Sequence, residues 1–110
     1  MLKKIRLLLD YGCYPVWLYD ESDNIIDTLL PEEMRTDTEL DAKFDNLQER
    51  YNALFIDNPH EFSFVGFKND EERKKFFTDW DATVHDFITK LNGRYFVTNE
   101  IEKSFKKLCP

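Results

Sequence analysis

Residues 61–91 constrain the fold more than any other stretch of this sequence. The stretch opens with the apolar run Phe62-Ser63-Phe64-Val65-Gly66-Phe67. Successive residues of a strand point to opposite faces, so both faces of this strand would be apolar. Such a strand is typical of the interior of a covered sheet. The run therefore predicts a central strand.

A long amphipathic helix is predicted directly after this strand. Asn69 is a suitable N-cap with Glu72 three residues later, and Gly93 is suited to the C-terminal end. Apolar residues recur between these signals at helical spacing: Phe76, Phe77, Trp80, Val84, Phe87, Ile88 and Leu91. The spacing predicts a helix that packs its apolar stripe against the sheet.

The other elements predict an α+β domain. Periodicity indicates strands over residues 3–9, 15–19, 25–29 and 94–98, a helix over residues 36–55, and a short helix or tail over residues 100–108. This order fits a mostly antiparallel sheet of four to five strands with two main helices packed on one face. A length of 110 residues predicts a single domain over residues 1–110. Strand order and oligomeric state stay open.

The first predicted helix carries an acidic ridge. The capping box Thr36-Asp37-Thr38-Glu39 starts this helix. Its predicted buried stripe consists of Leu40, Phe44, Leu47, Tyr51, Leu54 and Phe55. Four acids recur beside the stripe at intervals of four residues: Asp37, Asp41, Asp45 and Glu49. Like charges at this spacing are destabilising, so the ridge calls for a reason other than stability.

We expect the ridge to be unpaired. Lys43 and Arg50 fall on the other flank of the helix, where they do little to neutralise the ridge. The second helix differs, because the pairs Lys75–Asp79 and Asp86–Lys90 have the spacing of ion pairs along its solvent face. This contrast is the strongest functional hint in the sequence.

The net charge of −7 is concentrated in the middle of the chain. Residues 10–61 contain fourteen acids and three bases, a balance of −11. Nucleic acid and anionic membranes require basic patches, so we expect neither as a direct partner. An acidic surface favours a basic protein partner, and it also serves solubility alone.

The predicted hairpin over residues 15–29 adds further partner-binding candidates. Its turn contains Asp20, Glu21 and Asp23, and its first strand contains Trp17 and Tyr19. The turn does not fit a calcium loop, because a loop starting at Asp20 would need glycine and glutamate where Ile25 and Pro31 stand. With Tyr14, the aromatic residues could form an exposed anchor for a partner or pack against a helix.

No catalytic, cofactor-binding or metal-binding pattern stands out. Asp81 and His85 are four residues apart, but no third metal ligand is signposted. His60 lies in a polar segment with ordinary loop composition. Three dispersed glycines exclude a glycine-rich phosphate loop. We therefore expect no enzyme, no cofactor and no metal.

The N-terminal and cysteine patterns favour a cytoplasmic protein. The apolar run after the first basic residues ends at Asp10 without a cleavage signal, and no segment approaches the length of a membrane span. Cys13 and Cys109 could pair, but scattered cysteines without an export signal are more often free thiols.

Several segments carry a resemblance to a known class of proteins. They are Tyr14-Pro15-Val16-Trp17-Leu18-Tyr19-Asp20, Ile25-Ile26-Asp27, Leu54-Phe55-Ile56-Asp57-Asn58 and residues 61–67. Together they resemble small bacterial immunity proteins encoded beside polymorphic or contact-dependent toxins. The resemblance implies a non-enzymatic protein that binds and neutralises a cognate toxin in the cytoplasm of the producing cell. Such toxins are often nucleases with basic active sites.

The leading hypothesis is thus a toxin-neutralising immunity protein whose acidic surface binds a basic, nuclease-like toxin. Its alternatives are a phage- or plasmid-type acidic DNA mimic that regulates a nucleic-acid enzyme, and a generic soluble interaction protein. A small enzyme using His60 or His85 is the third class, and no catalytic constellation supports it.

Overall fold

A four-stranded sheet organises the protein, whose computed structural model describes residues 3–106. Its strands are β1 (Lys3–Leu7), β2 (Val16–Tyr19), β3 (Ile25–Asp27) and, after five intervening elements of the chain, β6 (Tyr95–Asn99). The order across the sheet is β3-β2-β1-β6. The β1–β2 and β2–β3 pairs are antiparallel, and the β1–β6 pair is parallel. The predicted hairpin over residues 15–29 is confirmed.

The helices cover one face of this sheet. A short 3-10 helix (Glu32–Met34) precedes α1 (Thr38–Asn52), the long α2 (Asp70–Leu91) follows later, and α3 (Ile101–Lys106) follows β6. Ile5 and Leu7 of β1, with Val16 of β2, are fully buried beneath α1 and α2. The predicted α+β class, with a mostly antiparallel sheet and two main helices on one face, is confirmed.

The prediction of a central strand over residues 62–67 is wrong. Strands β4 (Phe55–Asn58) and β5 (Glu61–Phe64) form a separate two-stranded hairpin. The chain leaves β5 after Phe64, where the N–H groups of Val65 and Gly66 donate to the Leu54 carbonyl. Gly66 has a φ of +81°, a conformation that favours glycine. The apolar run is therefore divided between strand β5 and the turn that follows it. Part of the run is exposed to solvent.

The start of α1 differs from the prediction by one residue. Asp37, rather than Thr36, is the N-cap, and its Oδ1 accepts a hydrogen bond of 3.0 Å from the Leu40 N–H. At α2 the predicted N-cap is confirmed, since Asn69 Oδ1 accepts from the Glu72 N–H at 2.9 Å. The helix ends at Leu91, two residues before the predicted glycine, because Asn92 already adopts the left-handed conformation.

Aromatic packing between the two main helices forms much of the core. Phe44 of α1 contacts Phe87 of α2 edge-on, with ring centroids 5.4 Å apart. Trp80 is completely buried, and its indole N–H donates to Asn99 Oδ1 on β6. Burial of aromatic side chains of this size stabilises a domain by several kcal/mol each, and truncation to alanine costs about 3–5 kcal/mol. The stripe that periodicity predicted on α1 is buried at Leu40, Phe44, Leu47 and Tyr51, whereas Phe55 belongs to β4. The stripe predicted on α2 is buried except at its edge, where Ile88 is 45% exposed.

Two expectations from the sequence concern membrane-spanning helices and the pairing of the cysteines. No helix within residues 3–106 combines the length and apolar character needed to cross a bilayer. Cys109 lies outside the described residues, and so does its proposed pairing with Cys13.

Candidate functional site

The two flanks of α1 have different electrostatic environments. One flank faces α2, and both cations of α1 lie on it. Arg50 Nη1 is 2.8 Å from Asp79 Oδ2, and Lys43 Nζ is 3.6 Å from Asp86 Oδ2. The Arg50 guanidinium also lies over the Phe76 ring at 5.2 Å. We call this side the α2 flank, and its charges are neutralised between the helices.

The opposite side, which we call the acidic flank, consists of Asp41, Asp45 and Glu49. Within residues 3–106, no lysine, arginine or histidine lies within ion-pairing distance of these three carboxylates. All three residues are exposed. The predicted unpaired ridge therefore exists along these three positions.

The fourth predicted member of the ridge is paired. Asp37 Oδ2 accepts a hydrogen bond of 2.7 Å from Lys90 Nζ on α2, while its other oxygen caps α1. The ammonium group of Lys90, followed by the Leu40 N–H, holds the pKa of Asp37 below its ordinary value. The expectation that Asp37 is unpaired is wrong, because a cation from a distant helix reaches it.

The second-helix pairs are confirmed in part. Lys90 Nζ lies 3.4 Å from Asp86 Oδ2, as the four-residue spacing predicts. The predicted Lys75–Asp79 pair is replaced, because Asp79 pairs with Arg50 across the helices instead.

The loop between β1 and β2 packs beside the acidic flank. Tyr14 Oη donates to Asp41 Oδ1 at 2.7 Å, and the Gly12 N–H donates to Asn52 Oδ1 at 3.0 Å. Burial, and then the hydrogen bond to Asp41, raise the pKa of Tyr14 above its ordinary value. The phenol is thus a fixed donor at neutral pH, and it orients the Asp41 carboxylate without neutralising it.

Like charges act on the centre of the acidic flank. Partial desolvation first, and then the charges of Asp41 and Glu49, raise the pKa of Asp45 above its ordinary value. A raised carboxylate pKa means that ionised Asp45 is less favourable in the folded state than in the unfolded chain. The acidic flank is therefore retained at a small expense in stability.

Two of the three predicted turn acids have structural partners. Asp20 Oδ1 accepts hydrogen bonds from the Ser22 and Asn24 N–H groups, and these bonds lower the pKa of Asp20. Asp23 is 2.6 Å from Lys4 Nζ. In the part of the chain that the structure describes, Glu21 is the member of this group without an ion pair or side-chain hydrogen bond.

Trp17 and Tyr19 lie on the sheet face opposite the helices. In the register of the sheet, Trp17 is the partner of Arg6. Tyr19 Oη accepts from Arg6 Nη1 at 2.9 Å, and the guanidinium lies 5.6 Å from the ring centroid. The alternative of packing against a helix is wrong for these two side chains, but it is confirmed for Tyr14, whose ring centroid lies 6.1 Å from that of Phe44 on α1. Because Trp17 and Tyr19 face away from α1, they cannot form one continuous surface with the acidic flank.

An aromatic group beside the acidic flank was not predicted. Tyr11 contacts Phe55 and Phe62 edge-on, with ring centroids 5.1 and 4.9 Å away, and its hydroxyl donates to Asp57 Oδ2 at 3.0 Å. We call Tyr11, Phe55, Asp57 and Phe62 the hairpin cluster. It adjoins the acidic flank, because Gly12, next to Tyr11, is bonded to the α1 residue Asn52.

The sequence contained a weak signal for this cluster. Phe55 and Asp57 have the two-residue spacing of one strand face, and the polar residues 58–60 follow them as a turn. The predicted helix extended to residue 55 and obscured that strand, which begins at Phe55.

Neither histidine belongs to a group of potential metal ligands in the described residues. No group of three potential metal ligands occurs within residues 3–106. The backbone N–H of His60 donates to Asn58 Oδ1, which places this histidine in the tight turn of the β4–β5 hairpin.

Comparisons with known proteins are consistent with a binding role. Residues 3–100 match the family model described as "Serratia CdiI immunity protein-like". A comparison with curated proteins gives no match. The family model covers almost all of the described chain, including both flanks of α1 and the hairpin cluster. Family membership supports a toxin-neutralising role in general. The chain belongs to the Serratia CdiI immunity protein-like family.

Proposed function

We propose that this protein is a bacterial cytoplasmic immunity protein that binds a basic, nuclease-like toxin through its acidic flank. The observation that carries the proposal is the separation of charge on α1. Both cations of this helix are neutralised on the α2 flank, whereas Asp41, Asp45 and Glu49 have no cation partner in the described residues. Carboxylates retained against mutual repulsion fit a surface that becomes paired only in a complex.

The mechanism follows from the chemistry of the two neighbouring groups. Exposed carboxylates accelerate the encounter with a basic surface and select its orientation, while aromatic side chains at the centre of a contact supply most of the residual affinity. The acidic flank would provide the first effect and the hairpin cluster the second. Neutralisation by occupation of the toxin's basic surface requires no catalysis, cofactor or metal.

The other predicted contacts have secondary places in this proposal. Glu21 is the turn acid most available to a partner, since Asp20 and Asp23 stabilise the turn. Trp17 and Tyr19 would be a separate contact on the opposite face of the sheet. The family match favours a toxin as the partner over the nucleic-acid enzyme of the phage- or plasmid-type alternative.

The proposal is tested by charge reversal of the acidic flank. The triple variant Asp41→Lys, Asp45→Lys, Glu49→Lys should slow association with the toxin domain encoded beside this gene by about tenfold or more at low salt, because electrostatic steering acts on encounter. High salt should remove most of the difference. Stopped-flow or biolayer interferometry with a catalytically inactive toxin measures both rates.

A matched control carries the same change in net charge at other sites. The variant Glu71→Lys, Asp81→Lys, Glu102→Lys alters three exposed acids of α2 and α3 that form no ion pair within the described residues. It should associate much faster than the acidic-flank variant. Equal association rates for the two variants, at equal circular dichroism signals, would remove the acidic flank from the proposed contact. A parallel assay of the survival of cells that produce both the toxin and this protein tests the immunity role itself.

A further inference from the structure

The hairpin cluster places a carboxylate and an exposed aromatic ring side by side. Asp57 and Phe62 are directly opposite each other in the β4–β5 register, so their side chains point to the same face of the hairpin. The Phe62 ring stacks on Phe55 at 5.4 Å with an interplanar angle of 14°. Phe62 is nevertheless 57% exposed. One face of its ring is therefore covered by Phe55, while more than half of the residue is exposed to solvent.

The carboxylate at this site is held in position. Tyr11 Oη donates to Asp57 Oδ2, and the Tyr11 ring meets the Phe62 ring edge-on at an angle of 82°. The second oxygen, Oδ1, has no hydrogen-bond donor in the described part of the chain. The site thus offers a fixed ring face and an available carboxylate oxygen.

Arginine combines with this pair of groups twice elsewhere in the protein. Arg50 lies 5.2 Å over the Phe76 ring and pairs with Asp79 at 2.8 Å. Arg6 lies 5.6 Å over the Tyr19 ring and pairs with Glu100, with a second bond of 2.7 Å from its Nη2. In both cases the guanidinium lies over the ring while its N–H groups donate to the carboxylate.

The hairpin cluster presents the same combination without an arginine from the described residues of the chain. We infer that it is a binding site for an arginine side chain of the partner protein. This inference rests on the proposed function for the identity of that partner as a basic toxin. The acidic flank steers many positive charges, whereas the hairpin cluster would recognise one guanidinium by its planar shape. Lysine satisfies only half of the site, because its compact, strongly hydrated ammonium stacks poorly on a ring.

The site can be tested on the isolated protein with a small probe. Titration with N-acetyl-arginine amide, followed by NMR, should shift the signals of Tyr11, Asp57 and Phe62 saturably. N-acetyl-lysine amide should bind more weakly by about threefold or more, the effect expected for one exposed cation–aromatic contact. Equal shifts with both probes, or shifts spread over all exposed acids, would overturn the inference.

Two variants make the titration specific. Phe62→Leu should weaken arginine binding by about threefold, and Asp57→Asn should weaken it while the Tyr11 hydrogen bond keeps an acceptor. The control is Phe96→Leu on β6, because Phe96 is also 57% exposed but has no part in the hairpin cluster. A Phe62→Leu variant that is folded by circular dichroism and binds the arginine probe like the parent protein would contradict the site.

A third arm uses the toxin and separates this inference from the proposed function. Phe62→Leu should accelerate dissociation of the toxin complex at both low and high salt, whereas reversal of the acidic flank should slow association at low salt. An effect of Phe62→Leu without an effect of the acidic flank would support the arginine site and reject the flank. The reverse result would reject the toxin as the occupant of the hairpin cluster. Substitution of single toxin arginines by lysine should reproduce the Phe62→Leu effect at one position.

Discussion

The two flanks of α1 differ in what satisfies their charges. On the α2 flank, Arg50 and Lys43 are neutralised by acids of the neighbouring helix, so charge contributes to the packing of the two helices. On the acidic flank, the carboxylates meet a loop that supplies one phenol and no cation. The same helix thus has one side that contributes to the protein's own fold and one side that we propose binds a partner. Stability and binding can be separated by changing one side at a time.

The largest stability effect should come from the α2 flank. Arg50→Ala removes an ion pair with Asp79 and the cover over Phe76, and it should lower the free energy of unfolding by about 1 kcal/mol. The neighbouring substitution Glu49→Ala, on the acidic flank, should leave stability within about 0.5 kcal/mol or raise it slightly. Urea denaturation of both variants measures the difference. Equal losses would show that the two flanks contribute alike to the fold.

A smaller loss of stability is expected at Asp37, which caps α1 and pairs with Lys90 of α2. Asp37→Asn keeps an oxygen to cap α1 but removes the charge that pairs with Lys90. The pKa of Asp37 is lowered in the folded protein, so the contribution of its charge is fully present above the unfolded pKa of about 4 and is lost as the pH falls through the folded pKa. The variant should be less stable at neutral pH and equal to the parent in acid.

Unfolding curves at pH 7 and pH 3 test this assignment. A stability difference that persists unchanged at pH 3 would mean that the amide disturbs the cap itself. The variant Lys90→Met leaves the Asp37 cap intact. It should likewise be less stable than the parent protein at pH 7, and the stability difference should disappear in acid.

The smallest effect has the opposite sign. Asp45→Asn should raise the free energy of unfolding at neutral pH by about 0.3 kcal/mol, because it removes a partly desolvated charge and the repulsion from Asp41 and Glu49. The folded pKa of Asp45 is raised, so its unfavourable contribution is present above that pKa and fades as the pH falls through it. Urea unfolding at several pH values should show a gain that disappears in acid. A loss at neutral pH would mean that Asp45 has a stabilising role.

Local sequence patterns predicted the helices and strands of this fold better than the contacts between them. The apolar stripe of α2 and the Asn69 cap depend on residues within one helix, so the sequence alone was sufficient to predict both. The Asp37–Lys90 bond joins residues 53 positions apart, and no helical spacing rule could reveal it. Asp79 similarly pairs with Arg50 rather than with its expected local partner Lys75, because the packing of α1 against α2 places the Arg50 guanidinium 2.8 Å from the Asp79 carboxylate.

The misplaced strand has a different cause. An apolar run such as residues 61–67 predicts burial on two sides, but it does not specify whether a sheet or a few aromatic side chains provide that burial. Here Phe55 and Tyr11, which comes from a distant loop, cover part of the Phe62 ring. The rest of the Phe62 side chain is exposed. The same uncertainty concealed the hairpin cluster, whose members come from two separate parts of the chain.

The parallel pairing of β1 with β6 has a consequence for synthesis in the cell. Lys3 and Leu7 of the first strand pair with Tyr95 and Asn99 of the last, so an interior strand of the sheet is made first and receives its second neighbour last. Contacts so distant along the chain are formed slowly and only after the intervening residues have left the ribosome. The growing chain therefore carries an unfinished sheet edge throughout most of its translation. Protection of the cell should follow the completion of each molecule, with a delay set by the ribosome and by the closing of that edge.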